Sequence, residues 1–271
     1  MTNPWFHFLA PAFYLAAGGL LAIQLARARP LAGSARLGIL ALAGGGLLLH
    51  GVLLLGRLGL DGEVNLALTS AFSLVAWVAA LLFVLVALTR PIENLGILIL
   101  PLTGLTVLIE WLWPGSQWLR QPTTPQAAHI IISVLAYGLL TLAAVQALLL
   151  CLQERRLHSH HPGGFLRALP PVQTMETLMF QLIVAGFLLL TGTVVSGLFF
   201  SEQVFGRPLR LNHHTVLAIV AWLVYGVLLV GRWRLGWRGR TAVRWTVAGF
   251  ALLVLGYFGS KFVLEVVLGR A

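Results

Sequence analysis

Long apolar runs alternate with short polar breaks from one end of the chain to the other. A helix rises about 1.5 Å per residue, so crossing roughly 30 Å of hydrocarbon takes about 20 mostly apolar residues. Eight stretches meet that need: Phe6–Ala26, Leu37–Leu55, Leu66–Leu88, Leu95–Trp113, Ala128–Leu152, Leu178–Phe200, His213–Val230 and Trp245–Leu268. The breaks between them are too short for a second domain, and no internal repeat stands out. The pattern predicts an all-α polytopic membrane protein with about eight transmembrane helices, forming one integral membrane domain over residues 1–271.

Composition sharpens that reading. Hydrophobic residues make up 59% of the 271 and charged residues only 10%, with a mean hydropathy of +0.92. Soluble domains carry roughly 25% charged residues because their surface faces water. Here the expected partner of the surface is the lipid bilayer. A net charge of +10 could suit nucleic acid. The basic residues are scattered through interhelical loops rather than gathered in a stripe, so no nucleic-acid partner is expected and they read as topology signals.

Their distribution sets an orientation. With the N-terminus outside, the cytoplasmic loops hold Arg27, Arg29, Arg36, Arg90, Arg155, Arg156, Arg167, Arg232, Arg234, Arg238, Arg240 and Arg244. The outer segments hold Arg57, Arg120, Arg207, Arg210, Lys261 and Arg270. The positive-inside rule favours this arrangement, and an even helix number puts both termini on the non-cytoplasmic side. The start, Met1 to His7, lacks a basic n-region, so the first apolar stretch is expected to stay as a helix of a multi-pass protein in a bacterial inner membrane. Cys151 is the only cysteine, which leaves no internal disulfide, no CxxC pair and no CxxCH haem-attachment motif.

The candidate chemistry lies in the histidines, because topology sorts them. His50 falls near the outer end of helix two, His129 opens helix five on the outside, and His213 and His214 open helix seven there. A neutral imidazole is a ligand for haem iron, and three helices offer one at the same level. Arg57, Arg120, Arg207 and Arg210 could meet propionates, and Trp111, Trp113 and Trp118 could wall the macrocycle. Ser133 and Tyr137 follow His129 at intervals of four, on one helix stripe. Each residue also has a plainer reading. His50 could hydrogen-bond a neighbouring helix, the interfacial histidines could be caps, the tryptophans an aromatic belt and the arginines surface charges.

Other features carry less. His158, His160 and His161 sit in a polar loop, where metal binding and simple solvation both remain open. Glu110 could be a proton or cation site, or merely solvated. Lys261 and Glu265 are spaced to pair, and Thr174 with Glu176 suit an N-cap and a first-turn acid of helix six. Gly44, Gly45, Gly46, Gly192 with Ser196, and Gly256 with Gly259 and Ser260 read as close helix contacts. No paired carboxylates, phosphate loop or Ser-His-Asp set is present, and no helix holds the histidine pair of a transmembrane electron-transfer chain.

Thr191 to Gly197, Thr215 to Trp222 with Tyr225, the GWRGR run Gly236 to Arg240 and the GYFGSK run Gly256 to Lys261 resemble the cytochrome c assembly protein family (CcsA/CcmC-like). Within it, the chain is similar to the YpjD/HemX branch. His50, His129 with Tyr137, and Pro170 and Pro171 ahead of Glu176 fit the same pattern over nearly the whole chain. The resemblance implies haem contact near the outer face, with His129 matching an external haem-ligand histidine of the larger relatives. Together with the topology, it makes haem b the expected cofactor, with His50 and His129 as leading ligands and His213 and His214 second. Components of cytochrome c biogenesis are the implied partners. The larger relatives carry a tryptophan-rich external segment and further histidines. The link Ser201–Asn212 is too short for that segment, and neither Phe262 to Ala271 nor Val230 to Arg232 contains a histidine. The expectation is therefore a haem-binding or haem-handling protein supporting cytochrome c assembly, with no catalytic residues assigned and no thioether chemistry of its own. The alternative is a membrane scaffold or small-solute transporter that kept the fold without haem ligands.

Overall fold

The computed structural model describes residues 4–27, 33–56, 63–158, 169–199 and 213–269. Its helices are α1 (Phe6–Ala26), α2 (Gly33–Leu55), α3 (Leu68–Thr89), α4 (Glu93–Leu112), α5 (Thr124–His158), α6 (Val172–Phe199), α7 (His213–Leu235) and α8 (Gly239–Val254). The last continues through two π-helical segments, Leu255–Gly259 and Val263–Val267. Among the described residues, eight helices are long and apolar enough to cross a membrane, as the apolar runs predict. The chain is an all-α multi-pass membrane protein.

Several helices outrun their apolar runs, and the reason is the same each time. A hydrophobic run ends where the hydrocarbon ends, whereas the hydrogen-bond ladder continues into the polar boundary. At α5 the extension has a specific cause. Thr123 and Gln126 form half of a capping box, the Thr123 N–H donating to Gln126 Oε1 at 2.9 Å. His129 therefore lies in the second turn of α5 and does not open it. At α6 the helix enters directly from Pro170 and Pro171, with Met175 N–H bonded to the Pro171 carbonyl at 3.1 Å. That overturns the reading of Thr174 as N-cap, and Glu176 takes a different role described below.

α1 packs on α2 and α4, and α3 packs on α2 and α4 in turn. α5 lies along α6 and α8, and α8 along α7, with α3 against α5 joining the two sets. Small residues permit this closeness in lipid, where apolar surface alone gives helices little reason to associate. Pro101 sits inside α4, and its ring faces Gly18 of α1, where a Cβ would come within 2.7 Å of Pro101 Cδ. Gly46 lies against Tyr14 and Gly256 against Leu217, whereas Gly44 meets nothing.

The helix ends segregate into two faces. One gathers arginines. Arg36 pairs with Glu93 at 2.6 Å and also donates to the carbonyls of Ala87 and Arg90, closing the C-terminal turn of α3. Glu176 is buried there and pairs with Arg232 at 2.5 Å. Arg232 also donates to the Trp237 carbonyl at 3.1 Å, and Gly239 N–H donates to Glu176 at 3.4 Å. Gly236 (φ +66°) and Gly239 (φ +51°) adopt the left-handed backbone that lets the turn fold over this pair. The first-turn acid of the sequence reading is thus a buried ion-pair partner.

The opposite face carries the histidines and a two-residue clasp that apolar periodicity could not reveal. β1 (Val64–Asn65) pairs antiparallel with β2 (Trp118–Leu119), tying the α2–α3 loop to the α4–α5 loop. Lys261 and Glu265 pair at 3.4 Å with little side-chain exposure. Glu265 accepts the N–H of Leu68 at 3.0 Å, and Lys261 donates to Gln117. The end of α8 is thereby fastened to both loops.

Glu176→Ala should destabilise the protein by roughly 2–3 kcal/mol, because it strands a mostly buried guanidinium. The Glu176→Ala/Arg232→Met pair should cost less than the sum of its single changes. Thermal unfolding in detergent measures both, and strict additivity would refute the coupling.

Candidate functional site

His50 is 1% exposed in α2. Its Nε2 lies 2.9 Å from Ser73 Oγ of α3 and its Nδ1 3.4 Å from Tyr14 Oη of α1. The imidazole thus bridges three helices, with the Tyr14 ring edge-on at 6.0 Å. One turn nearer the loops, the buried hydroxyl of Ser70 has no hydrogen-bond partner among the described residues.

His129 and His214 form a second group. His129 Nδ1 lies 2.8 Å from Ser196 Oγ on α6. Ser133 donates to the His129 carbonyl at 2.6 Å and reaches Thr193 at 3.3 Å. His214, half-buried at the start of α7, reaches this neighbourhood through Tyr257, whose ring also neighbours Tyr137, two turns along α5 from His129. The His214 ring stands edge-on to Tyr257 at 5.6 Å, and Lys261 Nζ lies over the other partner of that contact, 5.6 Å from the Tyr257 ring centre.

An aromatic wall runs on from Tyr257. Tyr137 approaches it at 6.2 Å and meets Phe258 edge-on at 5.9 Å, and Phe258 stacks on Phe72 of α3 at 3.7 Å. Tyr137 Oη donates to the Leu253 carbonyl at 3.0 Å, on the turn that leads into the first π segment. π turns change the ladder register and re-aim side chains. Here that stretch presents Tyr257 and Phe258 as neighbours on the α5 and α7 side.

The sequence-derived candidates therefore separate. His129 and His214 come together with Ser133, Tyr137 and Lys261, whereas His50 occupies its own hydrogen-bonded site among α1, α2 and α3. His213 is exposed, one residue before His214. Arg120 is 85% exposed and pairs with Glu63 at 3.3 Å beside the clasp, and Trp111 packs on Phe8 and His7. Arg57, Arg207, Arg210, His160 and His161 lie outside the described residues, and α5 ends at His158. Glu110 is 4% exposed, so the solvated reading does not hold.

Sequence reasoning gave no site role to Tyr14, Ser73, Thr193, Tyr257 or His7, whose ring lies 6.4 Å from Trp111 on this same face. Ser196 was legible only as a small helix-contact residue. Its pairing with His129 needed the crossing of α5 and α6 to be known.

A family model described as cytochrome C assembly protein matches residues 42–268. The chain belongs to the cytochrome c assembly protein family. Among this family's members it is 34% identical over 228 residues to the inner membrane protein YpjD of Escherichia coli strain K12, covering 82% of this chain and 84% of that one. An uncharacterised protein of Azospirillum brasilense is 40% identical over 141 residues, 52% of each chain. The cytochrome c biogenesis protein CcsA of Prochlorococcus marinus strain NATL1A is 32% identical over 112 residues, 41% of this chain and 34% of that one. The matched residues include every histidine placed above except His7.

His50→Ala should lower stability by roughly 1–3 kcal/mol, since it leaves the Ser73 and Tyr14 hydroxyls to find other partners in a water-poor core. An unchanged unfolding midpoint in detergent would show that the bridge contributes nothing.

Proposed function

We propose that this protein binds haem b at its histidine-bearing face and serves cytochrome c assembly in the bacterial inner membrane. The observation that carries the reading is the wall of Tyr257, Tyr137 and Phe258, which the His214 ring meets directly, with His129 carried on α5 two turns from Tyr137. The donor set suits the group. Imidazole nitrogens ligate haem iron, aromatic faces pack a porphyrin, and the Lys261 ammonium offers a counter-charge for a propionate. Haem supplies the redox-active iron and the macrocycle. The chain supplies the ligands, and Ser196 fixes the orientation of the His129 ring through its other nitrogen.

His129 and His214 are assigned as the first ligands. His213 extends the same helix start toward the surface. His50 remains a further candidate, and would have to exchange Ser73 or Tyr14 for iron. The names of relatives support the wider role, since one is an inner membrane protein and others are cytochrome c biogenesis proteins. Components of cytochrome c biogenesis are accordingly the proposed partners.

The orientation follows from the arginine-rich face being cytoplasmic, which places both termini and the histidines outside. Alkaline phosphatase fused to the C-terminus should be active in cells, and a fluorescent protein fused there dark. The reverse pattern would invert the topology.

Protein purified in detergent should show a Soret band, either as isolated or after addition of haemin, in oxidised and reduced states. His129→Ala and His214→Ala should each reduce haem retention about tenfold, the loss of one ligand bond weakening but not abolishing capture. A folded protein that stays colourless and takes up no haem would leave a scaffold or small-solute transporter as the function.

A further inference from the structure

At the arginine-rich face, at the other end of the helices from His50, His129, His213 and His214, a cleft of about 320 Å³ opens between the entry to α4 and the entry to α6. Its walls combine the polar side chains of Arg90, Gln173, Thr177 and Gln181 with the apolar ones of Ile92 and Leu178. Its floor holds two buried amides that are locked in place. Asn94 donates to Gln146 at 3.2 Å, and Gln146 donates to the Met175 carbonyl at 3.1 Å. A floor so fixed keeps the cleft from collapsing by rotamer change.

Charge selects what would enter. Arg90 is exposed at the rim and donates to Gln181 Oε1 at 2.5 Å. Among the described residues no carboxylate pairs with it, because the nearby Glu93 is held by Arg36. The guanidinium has five N–H donors, so the Gln181 bond leaves several for a ligand. α4 and α6 both start at this cleft, and helix starts carry positive partial charge, which adds to the Arg90 field. The cleft therefore has a positive rim with no internal counter-ion, and an apolar wall below it.

We infer that this cleft binds the phosphate of an anionic headgroup, with Arg90 as the contact residue and the Ile92 and Leu178 wall taking the first methylenes of an acyl chain. Its level suits this, since it sits where the helices begin and so at the bilayer boundary. Basic pockets between helices on the cytoplasmic side of membrane proteins hold anionic lipids by the same chemistry. The site is independent of haem binding, and its test does not depend on that reading.

The test uses the full chain in a neutral detergent and measures the thermal unfolding midpoint while titrating phosphatidylglycerol, phosphatidylcholine or inorganic phosphate. Phosphatidylglycerol should raise the midpoint saturably and phosphatidylcholine should not. Arg90→Gln should weaken the phosphatidylglycerol effect about tenfold, with Arg90→Lys intermediate and Arg155→Gln, an exposed arginine outside the cleft, equal to the unchanged protein. An Arg90-dependent effect of phosphatidylglycerol alone identifies the lipid. An equal Arg90-dependent effect of inorganic phosphate retains the anion site but assigns it to a soluble phosphate compound. Equal protection by phosphatidylcholine, or equal losses in Arg90→Gln and Arg155→Gln, overturns the proposal. Should Arg90→Gln fail to fold, Arg90→Lys and Gln181→Leu carry the comparison.

Discussion

Hydrocarbon offers no hydrogen bonds, so every polar group carried into this protein must find its partner inside the protein. The helical ladder meets that demand for the backbone, and the larger buried polar side chains meet it at helix crossings. His50 is held between Ser73 and Tyr14, Gln146 between Asn94 and the Met175 carbonyl, and Glu176 against Arg232. The His50 tie joins helices brought close where Gly46 meets Tyr14, and the Gln146 tie to Met175 joins α5 and α6, brought close where Gly186 meets Leu140. The polar groups thus specify which helices meet and in what register, while apolar surface and backbone closeness provide the attraction.

The same demand explains the division of labour between the two faces. At the arginine-rich face, charges are used in place: Arg36 closes the end of α3, and Arg232 with Glu176 anchors the glycine turn ahead of α8. At the histidine face, the clasp of β1 with β2 and the Lys261–Glu265 pair bind the loops to the end of α8. That fastening holds Tyr257 beside His214 and Phe258 beside Phe72. The candidate site, drawn from three helices and a π-helical stretch, is kept in register by these loop contacts.

Much of this was legible in the residues. The eight spans followed from apolar length, and even the missed start of α5 was written in Thr123 and Gln126, three apart. The stripe from His129 through Ser133 to Tyr137 followed from helical spacing. What was not legible was neighbourhood across helices. His50 and His129 lie at the same end of the bundle, so topology alone grouped them, yet they belong to different helix sets. Glu176 reads as a first-turn acid until α7 is seen to deliver Arg232 to it. Glu110 stays open between a proton or cation site and a solvated side chain until the packed bundle shows it buried.

Local pattern therefore decided the class of the protein, the number of its helices and the face on which its imidazoles collect, because hydropathy and loop charge act on each segment separately. Helix packing alone decided which imidazoles are neighbours, which carboxylates are buried and where a cleft opens. Those depend on crossing angles and close approaches between segments far apart in the chain, and no spacing rule along one helix encodes them.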